Sequence, residues 1–327
     1  MRPTMTALTS IIALLPCALL AQDISGTLVL YTSQPNEDAQ QTVDAFKAVH
    51  PGVEVEWFRD GTTQVMAKLA AEFQAGAPQP DVLLLADSVT MEGLKAEDRL
   101  MAYPEADTSA YADGVMDPDG FWFSTKLITT GIVYNTSAAM VPSSWNDLTA
   151  PEAENNIVLP SPLTSGAATI HMVSIAGVPS LGWDYYQALA DQGAIAQGGN
   201  GGVYQAVAGG EKLYGFVVDF LAIRGKNDGA PVEFVFPEEG VSAVTEPVAI
   251  LSTARNPDAA KAFVDFVISV EGQELAAAQG YLPAHPDVTP PAGFPPVSEI
   301  NLMSFDPATA LAEDTENKMR FTEMFGG

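Results

Sequence analysis

Short loops that combine hydroxyls with glycine recur at the ends of apolar runs in this sequence, and these are groups that can hold an anion. Ser33 follows one such run, Thr62 and Thr63 follow Gly61, and the stretch 160–168 carries Ser161, Thr164, Ser165, Gly166 and Ala167. Each hydroxyl has a proton to donate. Gly166 and Ala167 keep side chains out of the way, so backbone amides can come close to a ligand. Where such a loop opens a helix, the unpaired N–H groups and the partial positive charge of the helix start favour a bound anion. Ser165 serves equally well as an ordinary helix cap, so the chemistry requires several of these loops to meet in one cleft. The loop Gly198-Gly199-Asn200-Gly201-Gly202 suits either a flexible turn or a helix start that a ligand approaches. Asp87 and Asp219 each follow an apolar run. Facing a cleft, they would accept hydrogen bonds from an amine or hydroxyl; otherwise they cap helices.

Patterns that carry catalysis are weak by comparison. His50 and His285 sit in proline-flanked turns, and His171 lies among apolar neighbours, where a satisfied core histidine is the ordinary outcome. No His-x-x-x-His pair or cysteine cluster points to zinc, no Gly-x-Ser-x-Gly elbow occurs, and neither a phosphate-binding Gly-x-x-x-x-Gly-Lys loop nor a dinucleotide fingerprint follows the first strand. The 41 acidic residues offer many carboxylates, but nothing singles out a pair. The sequence therefore predicts a protein that is not an enzyme and needs no cofactor or metal.

The elements that must position these loops alternate. Strands are predicted at 27–31, 53–58 and 82–85, with amphipathic helices at 38–49 and 62–75 between them. This is a βαβαβ unit, hence a mostly parallel sheet covered on both faces. The stretch 127–135 is β-rich, and no helix follows it before the loop 141–145. Beyond it, strands at 157–159 and 213–219 alternate with helices at 165–176, 183–194 and 203–208. Helices at 257–269 and 271–279 follow, then a proline-rich stretch at 283–296 and a helix beyond 299 that packs back onto a lobe. The reading is two α/β lobes joined by extended crossings near 131–135 and 241–251.

Residues 1–21 have the parts of a secretory signal: Arg2, an apolar core over 7–20, and Ala21. That core is shorter than the roughly 20 residues needed to span a bilayer and contains Pro16. Cleavage would remove Cys17, the single cysteine, leaving no thiol or disulfide. The formal net charge of −27 disfavours nucleic acid, which needs a basic surface, and repels anionic membranes. It fits a solvated acidic surface and says little about a pocket, where local dipoles can still hold an anion.

Across nearly the whole mature chain the sequence resembles the extracellular solute-binding proteins of ABC importers, in the subgroup of ferric-iron, phosphonate and sugar-phosphate binders. The resemblance is carried by LVLYTS (28–33), the Gly61-Thr62-Thr63 helix start with AKLAAE (67–72), GIVYN (131–135), PSSWNDL (142–148), LPSPLTSGAA (159–168), PEEGVSAVTEPVAIL (237–251) and NPDAAKAFVDFVIS (256–269). It implies the two-lobed periplasmic binding protein fold, monomeric, exported to the periplasm and delivering ligand to an inner-membrane permease. The expected division is signal 1–21, first lobe 22–131, second lobe 132–242, return to the first lobe 243–285, and a tether with C-terminal helix 286–327. Ferric-iron members carry a tyrosine pair just after the strand that here reads 214–219. This chain has Phe220 and Leu221 there, which offer Fe³⁺ no oxygen. The expected ligand is a phosphonate or organophosphate, such as 2-aminoethylphosphonate or a sugar phosphate. Ser33, Thr62, Thr63, Ser161, Thr164, Ser165, Gly166 and Ala167 would serve its anionic group, and Asp87 and Asp219 its polar or cationic groups. Ferric iron is the alternative, then a polyamine or thiamine.

Overall fold

A computed structural model describes residues 24–111, 115–295 and 299–326; the expected signal segment lies outside them. The first sheet follows from the predicted βαβαβ unit. Strands β1 (Gly26–Thr32), β2 (Val53–Arg59) and β3 (Val82–Leu84) pair in parallel in the order β2-β1-β3. Helices α1 (Asn36–Val49) and α2 (Thr62–Gln74) connect them. Helix α1 buries Ala39, Val43 and Phe46 at helical spacing, and α2 buries Val65 and Leu69. These side chains and the inward residues of β1 and β3 form the core of the first lobe. After α3 (Ser88–Ala96), β4 (Leu100–Met101) and β5 (Trp122–Ser124), the chain enters the second sheet at β6 (Ile128–Asn135).

The second lobe contains β7 (Ile157–Leu159), α4 (Gly166–Gly177), α5 (Gly182–Asp191), β8 (Ile195–Ala196), α6 (Asn200–Ala208), β9 (Tyr214–Val218), α7 (Asp219–Asn227), β10 (Val232–Val235) and β11 (Ser242–Val244). Its sheet runs β10-β6-β9-β7-β8, with β11 against β6. The chain then returns through β12 (Pro247–Leu251), which pairs with β3, β4 and β5, and continues into α8 (Pro257–Ile268) and α9 (Val270–Ala278). Helix α10 (Pro307–Phe325) comes last. It touches both lobes: Leu311 lies near Gly93 of α3, and Phe321 and Phe325 pack edge-on against Tyr186 of α5. The sequence led us to expect it on one lobe only.

Two further details differ from expectation. Both sheets are mixed rather than mostly parallel. Strand β12 antiparallels β3, and β6 antiparallels β9. Each enters its sheet directly from a crossing, at the edge where β3 or β9 ends, and so must run the opposite way. The crossings themselves are shorter, at 125–127 and 245–246, because β6 pairs with β9 from Thr130 onward and with β11 from Ile128. The expected boundary at 131 therefore falls inside a strand of the second sheet, and β11, through Val244, still belongs to that sheet.

The two crossings are tied to each other. The Thr125 and Lys126 amides donate to the Thr245 carbonyl at 3.2 and 3.4 Å, and Thr125 Oγ1 donates to the Glu246 carbonyl at 2.7 Å. A separate apolar cluster joins the lobes, with Val89 and Tyr281 from the first-lobe side and Ala167, Ile170, Val218 and Phe220 from the second.

Candidate functional site

Between the lobes lies a cavity of about 530 Å³, within the range of small-molecule sites. A larger hollow of about 710 Å³ opens on the first lobe alone, beside His50, Tyr103 and Asp265. Closure of the two lobes would not enclose it, so the interlobe cavity is the candidate site.

Three helix starts face this cavity. The α2 start brings Gly61, Thr62 and Gln64; the α4 start brings Ser165 and Ala167; the α6 start brings Gly199, Asn200, Gly201 and Gly202. Two of them lack side-chain caps, because Gly61 and Gly199 occupy the cap positions of α2 and α6. The Thr62, Thr63 and Gln64 amides of α2 and the Asn200 and Gly201 amides of α6 therefore have no partner within their helix and form a ready seat for an anion, while the Gly202 amide turns back to the Gly199 carbonyl at 3.0 Å. At α4 the cap is Ser165, whose Oγ accepts from the Ala168 amide at 3.3 Å and from Asn200 Nδ2 at 3.0 Å. Asn200 Oδ1 in turn accepts from the Val218 amide at 3.1 Å. Asn200 thus fastens the α6 start to the α4 start and to the end of β9. Its glycine neighbours leave the backbone open to the cavity.

The first lobe adds Ser33 and Arg59. Ser33 Oγ accepts from the Ala86 amide at 3.0 Å, which leaves its own proton for a further acceptor. Arg59 donates from Nε to the Gln34 carbonyl at 2.8 Å and from Nη2 to the Ser33 carbonyl at 3.4 Å. The guanidinium is thereby fixed at the cavity rim with donors to spare. Thr164 Oγ1 donates to the Gly198 carbonyl at 2.7 Å, and so ties two of the loops together.

The lobes meet closely here. A methyl group added at Gly61 would lie 2.6 Å from the Thr164 carbonyl oxygen, and one at Gly166 would lie 2.6 Å from the Ala86 carbonyl oxygen. Small residues at these two places are what allow the helix starts of opposite lobes to approach.

Of the residues singled out from sequence, Ser33, Thr62, Thr164, Ser165 and Ala167 line the cavity. Thr63, on the first turn of α2, does not. Ser161 is buried beneath the loop, where its Oγ accepts from the Leu163 amide at 3.2 Å, and it shapes the turn that carries Thr164. Gly166 serves as the contact point between lobes.

The two aspartates are placed differently from the sequence expectation, since neither faces the cavity. Asp87 caps α3, accepting from the Thr90 amide at 3.2 Å and from the Thr90 hydroxyl, and burial raises its carboxyl pKa. Asp219 is wholly buried at the start of α7. It accepts from the amide and hydroxyl of Thr129 at 2.9 and 2.7 Å and from the Phe220 amide at 2.6 Å. Burial pushes its carboxyl up to about 7. Both carboxylates are oriented by partners on the protein side.

Among the lining residues not singled out from the sequence are Arg59, Phe220 and Glu246, whereas Asn200 lies in the glycine loop read as a candidate helix start. Arg59 had one usable signal, as one of only 14 basic residues and placed at a strand end just before a Gly-Thr helix start. Glu246 had none. It sits on the second crossing with a left-handed φ of +40° and pairs with Lys126 of the first crossing at 2.6 Å, both side chains being 3% exposed. Burial raises its carboxyl pKa. A charge pair taken out of water is held only where each partner compensates the other, so this one fastens the two crossings at the floor of the cavity.

Residues 77–302 match the family described as bacterial extracellular solute-binding protein. A protein of Haemophilus influenzae described as uncharacterized is 30% identical over 277 residues, spanning 78% of this chain and 76% of that one. The probable ABC transporter periplasmic-binding protein y4fP of Sinorhizobium fredii is 25% identical over 280 residues, spanning 81% and 76%. Among solved structures, the periplasmic binding protein AfuA from Actinobacillus pleuropneumoniae, with fructose-6-phosphate bound, superposes with a TM-score of 0.83 at 24% identity, over 92% of this chain and 99% of that one. Other solved chains of this fold are iron-bound or thiamine-binding, so the fold leaves the ligand class open.

Proposed function

This chain belongs to the bacterial extracellular solute-binding proteins, the binding components of ABC transporters, and from that premise we propose that its lobes close over a small anionic ligand, a phosphonate or organophosphate such as 2-aminoethylphosphonate or a sugar phosphate. The protein is read as an exported, periplasmic, monomeric carrier without catalytic activity that hands its ligand to an inner-membrane permease. The observation that carries the ligand class is the convergence of the α2, α4 and α6 starts, two of them without side-chain caps, on one cavity beside Arg59. A tetrahedral oxyanion takes many short donors from several directions, and helix starts with small hydroxyls supply them. Ser33, Thr62, Ser165 and the amides at Ala167 and Gly201 are the proposed donors, with Arg59 as the one cation among the described lining residues, while Thr164, whose hydroxyl proton goes to the Gly198 carbonyl, holds its loop in place. Glu246, the buried carboxylate of the lining, takes the place first given to Asp87 and Asp219 as partner for a polar or cationic group of the ligand.

Hard ferric iron asks for phenolate or clustered carboxylate oxygen. Among the described residues the lining has no tyrosine, and its carboxylates are Asp60 and the Lys126-paired Glu246. This favours an oxyanion over the metal. The test is calorimetric titration of the double variant Thr62→Ala, Ser165→Ala with 2-aminoethylphosphonate and with a hexose phosphate. Tight binding is expected in the wild type and lost in the variant, whose circular dichroism stays native. Wild-type affinity in the variant would refute these donors.

A further inference from the structure

Asp38 and Arg224 face each other from opposite lobes, on α1 and α7. The guanidinium presents Nη1 and Nη2 to the two oxygens of the carboxylate at 3.2 and 3.1 Å, the paired geometry that arginine makes best. The Asp38 side chain is 4% exposed, and it also accepts from the Tyr281 hydroxyl. Gln279 Nε2 donates to the Asp38 carbonyl at 3.1 Å. The guanidinium lies over the rings of Phe220 and Tyr281, at 4.7 and 4.8 Å. Gly280 gives it room, since a methyl group there would sit 3.0 Å from Arg224 Nε. Phe220 is itself part of the cavity wall, whereas neither Arg224 nor Asp38 reaches the cavity.

We propose that Arg224 is a positioning residue for ligand capture: it latches the second lobe to Asp38 of the first and, through the stacked Phe220, links lobe closure to the shape of the cavity. This rests on the reading that the two lobes close over a solute, but not on which solute. A contact made only in the closed state shifts the open–closed equilibrium by the amount it is worth. The apparent affinity of every ligand then scales with the fraction of molecules able to close. Loss of the latch should therefore weaken all ligands by one common factor, mainly through faster dissociation, whereas loss of a contact residue discriminates between ligands.

The experiment is small-angle scattering of the mature protein without added ligand, for wild type, Asp38→Asn, Arg224→Ala and the exchange Asp38→Arg with Arg224→Asp. Melting temperature is recorded for each. The expected result is a larger radius of gyration in both single variants at a retained cooperative melt, with Arg224→Lys intermediate and the exchange partly restored. For whichever ligand the wild type binds, affinity should fall roughly tenfold or more in both single variants. Equal radii and equal affinities across the series would overturn the proposal. So would a radius that stays at the wild-type value in Asp38→Asn, the variant that preserves shape. Because the scattering needs no ligand, its outcome is separate from any failure of the phosphonate reading.

Discussion

Gly166, the first residue of a second-lobe helix, lies against Ala86 at the end of a first-lobe strand, so close that a methyl group on Gly166 would come within 2.6 Å of the Ala86 carbonyl oxygen. The same methyl would meet Asp87 Cβ at 2.7 Å and Thr62 Oγ1 at 3.0 Å. None of these is the free end of a flexible side chain, so relief has to come from separating the lobes.

Gly166→Ala should therefore impair closure while sparing the fold. Its backbone is not left-handed, so alanine is tolerated at the helix start and stability should change by no more than about 1 kcal/mol. Affinity is expected to fall roughly tenfold or more through a smaller closed population. Calorimetry and a thermal melt on the same sample check both halves. Unchanged affinity would mean that the lobes need not approach this closely.

Much of this arrangement was legible in the sequence because the signals were local. Apolar periodicity marked α1, α2 and β1 to within one or two residues, and the Gly-Thr, Ser-Gly-Ala and 198–202 glycine stretches marked the three helix starts. Both aspartates fall at strand ends as the sequence indicates; Asp87 then acts locally, capping α3, whereas the role of Asp219 is set at a distance. Asp87 turns to Thr90 and Asp219 to Thr129, and the second of these partners lies 90 residues away. The short helices α3 and α7, which begin at these aspartates, are absent from the sequence reading. Extended sequence with no helix between it and the loop at 141–145 suggests a crossing at β6, yet seven of its eight residues are buried, as an interior strand requires. Glu246 was invisible, because its significance comes only from Lys126 on the other crossing.

His171 predicts a pH dependence of stability. It is buried between Trp145 and Phe216, shares a hydrogen bond between Nδ1 and Ser242 Oγ at 3.0 Å, and burial pushes its pKa down from 6.5 to about 3. The unfolded chain takes up this proton near pH 6.5 and the folded chain only near 3. The contribution is thus fully present above about 6.5 and is lost as pH falls towards 3, by on the order of 5 kcal/mol in total. Asp219, raised to about 7, acts in the opposite sense, binding its proton first in the folded state. The comparison of wild type with His171→Gln cancels that effect. Chemical denaturation at a series of pH values should show the wild-type advantage over the variant shrinking between pH 6.5 and 4. An advantage that stays constant across this range would contradict a neutral buried histidine.

The central claim is that the cavity is built for an oxyanion, and a thermal-shift panel on the mature protein tests it most directly, because a ligand that favours the folded state raises its melting temperature by mass action. The panel sets 2-aminoethylphosphonate and hexose phosphates against ferric salts, thiamine and polyamines, with Arg59→Ala alongside wild type. The account predicts stabilisation by at least one phosphonate or phosphate ester, and an affinity about tenfold to a hundredfold weaker in Arg59→Ala, the worth of a charge-assisted hydrogen bond. Stabilisation by iron, thiamine or a polyamine alone, undiminished in Arg59→Ala, would contradict it.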